Sequence, residues 1–177
     1  MISPERRDST LNSNLLLARW DAVSDHAVRG ILFGEFVEGA GRFGELIFRT
    51  VWPGDTPELE DALRNLEARV HAYVKHFLTL AFLREDDVWF EDKSWKSVWR
   101  KDYDNYAARS TKWEQKGINL LANIVVALNE YADAVRKHLN PDYFFLQGKF
   151  TLYDSLGVTN ELQPIHYMPQ RYRPIED

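Results

Sequence analysis

The chain has 177 residues, the length of one typical domain, and a domain of that size buries roughly two thirds of the surface its unfolded state exposes. With 45% hydrophobic and 28% charged residues and a net charge of −5, it is too apolar and too weakly biased for a disordered chain, and its acidity argues against a whole-surface affinity for nucleic acid. The lack of any cysteine excludes disulfides, thiolate metal sites and cysteine nucleophiles.

Met1–Thr10 is polar, carries Glu5, Arg6, Arg7 and Asp8, and has no apolar run behind a basic start, so a secretory leader is not expected. The longest apolar run, Leu120–Leu128, is far short of the ~20 residues a bilayer crossing needs. A cytoplasmic protein without membrane contact is expected. The composition divides the chain into a flexible N-terminus over 1–13, one helical domain over 14–160 and an extended tail over 161–177.

From about Asn14 to Trp52, apolar or small residues recur at alternating steps of four and three: Leu16, Trp20, Val23, Ala27, Gly30, Gly34, Val37, Gly41, Gly44 and Phe48. That period predicts a helical stripe. A glycine inside a helix costs about 1 kcal/mol relative to alanine, so Gly30, Gly34, Gly41 and Gly44 on one stripe suggest close packing against another backbone, within the fold or between subunits.

Trp52-Pro53-Gly54-Asp55 is turn chemistry, and Thr56 before Pro57 reads as an N-cap followed by proline in the first turn. Glu58, Glu60 and Asp61 suit the dipole at a helix start. The stripe Leu59, Leu63, Leu66, Val70, Tyr73, Phe77 and Leu80 predicts a helix running to about Arg84, with Glu85-Asp86-Asp87 as an acidic connector.

A third helical region begins near Ser94. Between Trp95 and Leu139 there is no proline and one glycine, Gly117, so the stretch is either one very long helix or two; two, bent near Arg109–Gly117, are favoured. The later part presents Leu120, Leu121, Ile124, Val125, Leu128, Tyr131 and Val135 on one broad face before Asn140-Pro141 ends it. Around Gln147-Gly148-Lys149, the runs Phe144–Leu146 and Phe150–Tyr153 fit a small hairpin or a short helix. Pro164, Pro169 and Pro174 make the last stretch extended. The expected fold class is all-α: a bundle of four to five long amphipathic helices with an irregular aromatic-rich C-terminal segment.

Gly39-Ala40-Gly41-Arg42-Phe43-Gly44 fits the G-x-G-x-x-G pattern of dinucleotide sites, but the preceding residues keep a helical period where a strand is required, and Pro53 follows too soon. Ser24, Asp25 and His26 are sequence neighbours that point apart on a helix and cannot form a triad. No Glu-x-x-His or His-x-x-x-His occurs, so no metal site and no cofactor are expected.

Two pairs, Arg64 with His71 and Arg69 with His76, stand two turns apart on one helix, and Asn65 follows Arg64. This spacing resembles the loose R-x4-6-H pattern of HEPN-type ribonucleases, helical proteins that need no metal. The resemblance, confined to this one helix, implies an arginine facing the scissile phosphate and a histidine moving a proton.

The segment 93–116 holds Lys93, Lys96, Arg100, Lys101, Arg109, Lys112 and Lys116 against only Asp102, Asp104 and Glu114. Trp95, Trp99, Tyr103, Tyr106 and Trp113 lie among them. Phosphate contacts combined with stacking are how single-stranded nucleic acid is held; equally, the aromatic steps of four and three place those rings against the core and leave the cations as a solvated face or a patch for an acidic partner. The leading expectation is a noncatalytic helical interaction subunit, self-associating or bound to a protein partner, with Gly30, Gly34, Gly41 and Gly44 as the contact. The alternatives are a metal-independent ribonuclease using the Arg/His pairs and a single-stranded nucleic-acid-binding module using the basic segment.

Overall fold

The computed structural model describes residues 13–50, 54–97, 102–143, 148–158 and 164–175. Chain order among these is α1 (Trp20–Val28), β1 (Ile31–Phe33), α2 (Gly34–Arg49), α3 (Pro57–Phe77), β2 (Ala81–Leu83), β3 (Val88–Glu91), α4 (Tyr103–His138), β4 (Leu152–Val158) and β5 (Pro164–Tyr167), with short 3-10 turns at Leu17–Arg19, Leu78–Leu80 and Ser94–Ser97. Two small antiparallel sheets accompany four helices, one ordered β1-β3-β2 and one pairing β4 with β5. The fold is therefore mixed α and β, and the all-α bundle expected from the periodicity is overturned.

The strands escape a periodicity search because they are three or four residues long. The expected stripe over 14–52 breaks at Gly30, whose φ of +74° is a left-handed conformation open to glycine. The Gly30 amide closes the end of α1 on the Ala27 carbonyl, and its own carbonyl accepts the Glu91 amide at 2.8 Å. Ile31–Phe33 can then pair with Val88–Phe90, after which α2 resumes in a phase that hides the interruption.

The helix expected from Thr56 begins at Pro57 and buries Leu59, Leu63, Leu66, Val70, Tyr73 and Phe77. Thr56 occupies the cap position without a side-chain hydrogen bond. The helix stops at Phe77 rather than near Arg84, because Ala81–Leu83 pairs with Trp89–Glu91. The acidic connector becomes the hairpin turn, in which Asp87 has a φ of 58° and donates its amide to the Arg84 carbonyl at 3.1 Å.

Where two helices were favoured, α4 is one helix of 36 residues, roughly 54 Å long at 1.5 Å per residue. Gly117 sits in ordinary contact with the His76 ring and does not break it. Antiparallel α3 supports it from Trp113 to His138, with Glu58 near Lys137 and His138, Asn65 near Glu130, and His76 near Trp113. Leu120–Leu128 is buried on every side, since α1, α3 and β4 all pack on α4.

The C-terminal residues are tied to the helices by side chains that imitate strand pairing. Asn129 exchanges two hydrogen bonds with the Phe150 backbone, at 3.0 and 2.9 Å. Fully buried Asn123 does the same with Arg173, at 3.1 and 2.6 Å. Ser24 and Asp25, neighbours on α1, receive the Tyr153 and Ser155 amides of β4. The expected hairpin arm Phe144–Leu146 lies outside the described residues; the other arm pairs in part with β5, as in Leu152 opposite Tyr167. Among the described residues, no helix is long and apolar enough to cross a membrane.

Candidate functional site

The end of β3 is where the sheet meets α4. Glu91 is buried there, with its side chain only 2% exposed. One carboxylate oxygen accepts the Ser110 hydroxyl at 2.8 Å, and the other lies 2.8 Å from Lys93 Nζ, which also reaches Glu114 at 3.1 Å. Burial disfavours the Lys93 ammonium, but its bonds to Glu91 and Glu114 together outweigh that and raise its pKa. Gly30 leaves room for this carboxylate: a Cβ there would stand 2.8 Å from Glu91 Oε2.

Beyond Glu91, the Asp92 amide bonds the Leu80 carbonyl at 2.9 Å and its carboxylate accepts the Ser94 amide at 2.9 Å. These Ser94 contacts hold the Asp92 pKa below the ordinary carboxylate value, so it stays ionised. The turn Ser94–Ser97 then carries Trp95 to the first turns of α4, with its ring 5.3 Å from Tyr103 and 6.5 Å from Tyr106.

The facing wall comes from the end of α3. His76 Nε2 bonds the Trp113 carbonyl at 3.0 Å, and the two rings stack at 5.2 Å and 27°. Trp113 Nε1 in turn donates to the His76 carbonyl and to Thr79 Oγ1, both at 3.2 Å. A carbonyl only accepts, so Nε2 carries the proton and Nδ1 of the neutral ring keeps a lone pair. Burial pushes the His76 pKa below its ordinary 6.5, the carbonyl bond opposes this, and the Lys116 charge lowers it further.

Between these walls opens a cleft of about 600 Å³, within the range of small-molecule sites. Arg109, Lys112 and Lys116 line it from α4, and steps of three and four keep them on one face of that helix. Trp95, Tyr106, Trp113 and His76 supply its rings, and Asp92 is its one lining carboxylate among the described residues. The arrangement can hold an anion that also presents flat surfaces, through charge, stacking and cation–π contact.

The structure divides the residues singled out from the sequence. Arg109, Lys112 and Lys116 meet in the cleft, whereas Lys93 lies beside it in the Glu91 and Glu114 pairings and Lys96 sits 5.4 Å over the Trp95 ring. Arg100, Lys101 and Trp99 fall outside the described residues. Trp95 stands on a 3-10 turn instead of a core-facing helical stripe. Of the Arg/His pairs, only His76 lines the cleft. Arg69 lies 4.5 Å over the Tyr172 ring and bonds Asn65 at 3.2 Å, while Arg64 pairs with Glu60 at 2.7 Å on a face where His71 is also exposed.

Gly30 stands outside the helix that carries Gly34, Gly41 and Gly44, and the four meet different surroundings. Gly30 faces Glu91, Gly34 abuts the Asp87 carboxylate, Gly44 lies near Glu67, and only Gly41 faces open space. The close backbone approach occurs at Gly39, against the Asn14 carbonyl. Among the described residues, no group of three or more His, Asp or Glu could hold a metal ion. Thr79, Asp92, Ser94 and Ser110 are polar cleft residues that sequence reading missed; Asp92 and Ser94 form a local turn of a kind common in loops, and Thr79 and Ser110 meet the cleft through Trp113 and Glu91, far from them in sequence. In comparisons with known proteins, the chain matches no family model, no curated protein and no solved structure.

Proposed function

We propose that this chain is a binding module for single-stranded nucleic acid, held in the cleft between α3, α4 and the Ser94–Ser97 turn. The observation that supports this most is the convergence of Trp95, Tyr106 and Trp113 with Arg109, Lys112 and Lys116 on one opening. Cations meet phosphates without reading sequence, and rings stack on any base. The remaining surface carries the excess negative charge behind the net −5, which would confine a polyanion to this face.

Titration of tryptophan fluorescence with a short unstructured oligonucleotide tests the reading. Binding should weaken steeply with added salt. Trp95→Ala should cost about tenfold in affinity, the scale of one lost stacking contact, and Arg109→Gln several-fold at low salt. Absence of saturable binding at low salt would sink it.

One observation favours a ribonuclease as a second reading: neutral His76, with a lone pair on Nδ1, lines the same cleft. There Arg109, not Arg69, would face the phosphate. Turnover of RNA without added metal, lost in His76→Ala with binding retained, would select the enzyme over the module. The self-associating interaction subunit has less support, because Gly30, Gly34 and Gly44 each meet a side chain of their own fold. A dimer in light scattering would revive it.

A further inference from the structure

Resting on the nucleic-acid reading of the cleft, we infer that Asp92 selects the base, so that the module prefers single strands presenting guanine. Asp92 is the carboxylate that lines the opening, and among the described residues no lysine or arginine pairs with it. Its sequence neighbour Lys93 reaches Glu91 and Glu114 instead, at 2.8 and 3.1 Å. An ionised carboxylate on the wall of a polyanion site repels the backbone that the site attracts. It is favourable there where the ligand brings hydrogen-bond donors to it, and a single strand carries those on its base edges and, in RNA, on the 2′-hydroxyl.

The carboxylate accepts the Ser94 amide at 2.9 Å and the Ser94 hydroxyl as well, which fixes it at the start of the turn that carries Trp95. A carboxylate has about four lone-pair sites, so Ser94 leaves roughly half of them for a ligand. Trp95 follows Ser94 directly and lines the same opening, so a base held by its ring can meet Asp92 with an edge. Guanine is the base whose Watson–Crick edge carries two adjacent donors, N1–H and the N2 amino group, and the two carboxylate oxygens can take one each. Adenine and cytosine bring one amino group beside a ring nitrogen that only accepts. Uracil brings one N–H between two carbonyls, which the carboxylate repels.

The test measures binding of the full chain and of Asp92→Asn to short uridine strands that carry no guanosine, one guanosine, or one inosine in its place. Inosine keeps N1–H and lacks the N2 amino group. The substitution keeps an oxygen for the Ser94 amide, so circular dichroism should not change, but it removes the charge and turns the other acceptor into a donor. The unaltered chain should bind the guanosine strand about tenfold tighter than the uridine strand, within the range one bidentate pair discriminates, with inosine between them. Asp92→Asn should weaken the guanosine strand and strengthen the uridine strand, which loses only repulsion; a merely structural role would lower both. Equal affinity for the three strands, or a change of the same sign for all of them on substitution, would overturn the guanine preference and leave the cleft as a nucleic-acid binder. A preference for ribose over deoxyribose strands that ignores the base and vanishes in Asp92→Asn would overturn it too, by assigning the carboxylate to the 2′-hydroxyl. If no strand binds at low salt, both readings fall together.

Discussion

The Tyr73 hydroxyl is buried in the core without a hydrogen-bond partner among the described residues, and burial pushes its pKa well above the ordinary phenol value. Its ring lies 6.0 Å from Phe77 on the face of α3 that packs inward. A buried hydroxyl that has left water for nothing costs about 1–3 kcal/mol. Tyr73→Phe keeps the ring and removes that atom, so urea denaturation should show a gain of about 1 kcal/mol; a loss of that size would mean that the hydroxyl finds a partner in solution. Tyr73 stood on the sequence stripe simply as an apolar residue, and nothing in its spacing could reveal that its oxygen lacks a partner. His76 presents the opposite case: the sequence marked it as a candidate proton carrier, the Trp113 carbonyl across the α3–α4 contact sets its tautomer, and burial favours its neutral ring.

At the scale of the element, glycine content misled the reading of α2 because helical spacing does not report what each glycine faces. Gly41 is exposed with open space where a side chain would go, so Gly41→Ala should raise stability by about 1 kcal/mol, the ordinary helix-propensity difference. At Gly39 a Cβ would overlap the backbone carbonyl of Asn14. Gly39→Ala, the same substitution two residues away in the same helix, should therefore destabilise the chain and lower its melting temperature. Equal effects at the two positions would show that the contact with Asn14 is not a close one. The expected glycine contact between backbones does exist in α2, at a glycine outside the proposed stripe.

On the scale of the whole molecule, α4 is the post to which the rest is fastened. Its inner half is buried by α1, α3 and β4, and its asparagines hold the chain returning from the C-terminal side. Asn123→Ala removes both bonds to Arg173 and leaves a half-buried backbone amide and carbonyl without those partners, at a cost of about 1–2 kcal/mol. Limited proteolysis should then cut within 164–175 before any other part of the chain. Cleavage as slow as in the unaltered chain would show that Tyr172, through Asn65 and Glu130, holds the segment by itself.

The sequence by itself determined the start of α3 and its buried face, the apolar centre of α4, and the concentration of cations and rings in 93–116, because each depends on residues within a few turns of one another. Tertiary structure alone decided that Ile31–Phe33 and Ala81–Leu83 are strands, that α4 is continuous, and that His76, Asp92 and Trp95 open onto the face bearing Arg109, Lys112 and Lys116. The reason is range. A three-residue strand has no stability of its own and is made by a partner such as Phe90, 59 positions from Ile31. A cleft is made in the same way, by three elements whose own periodicity is satisfied equally well with or without it.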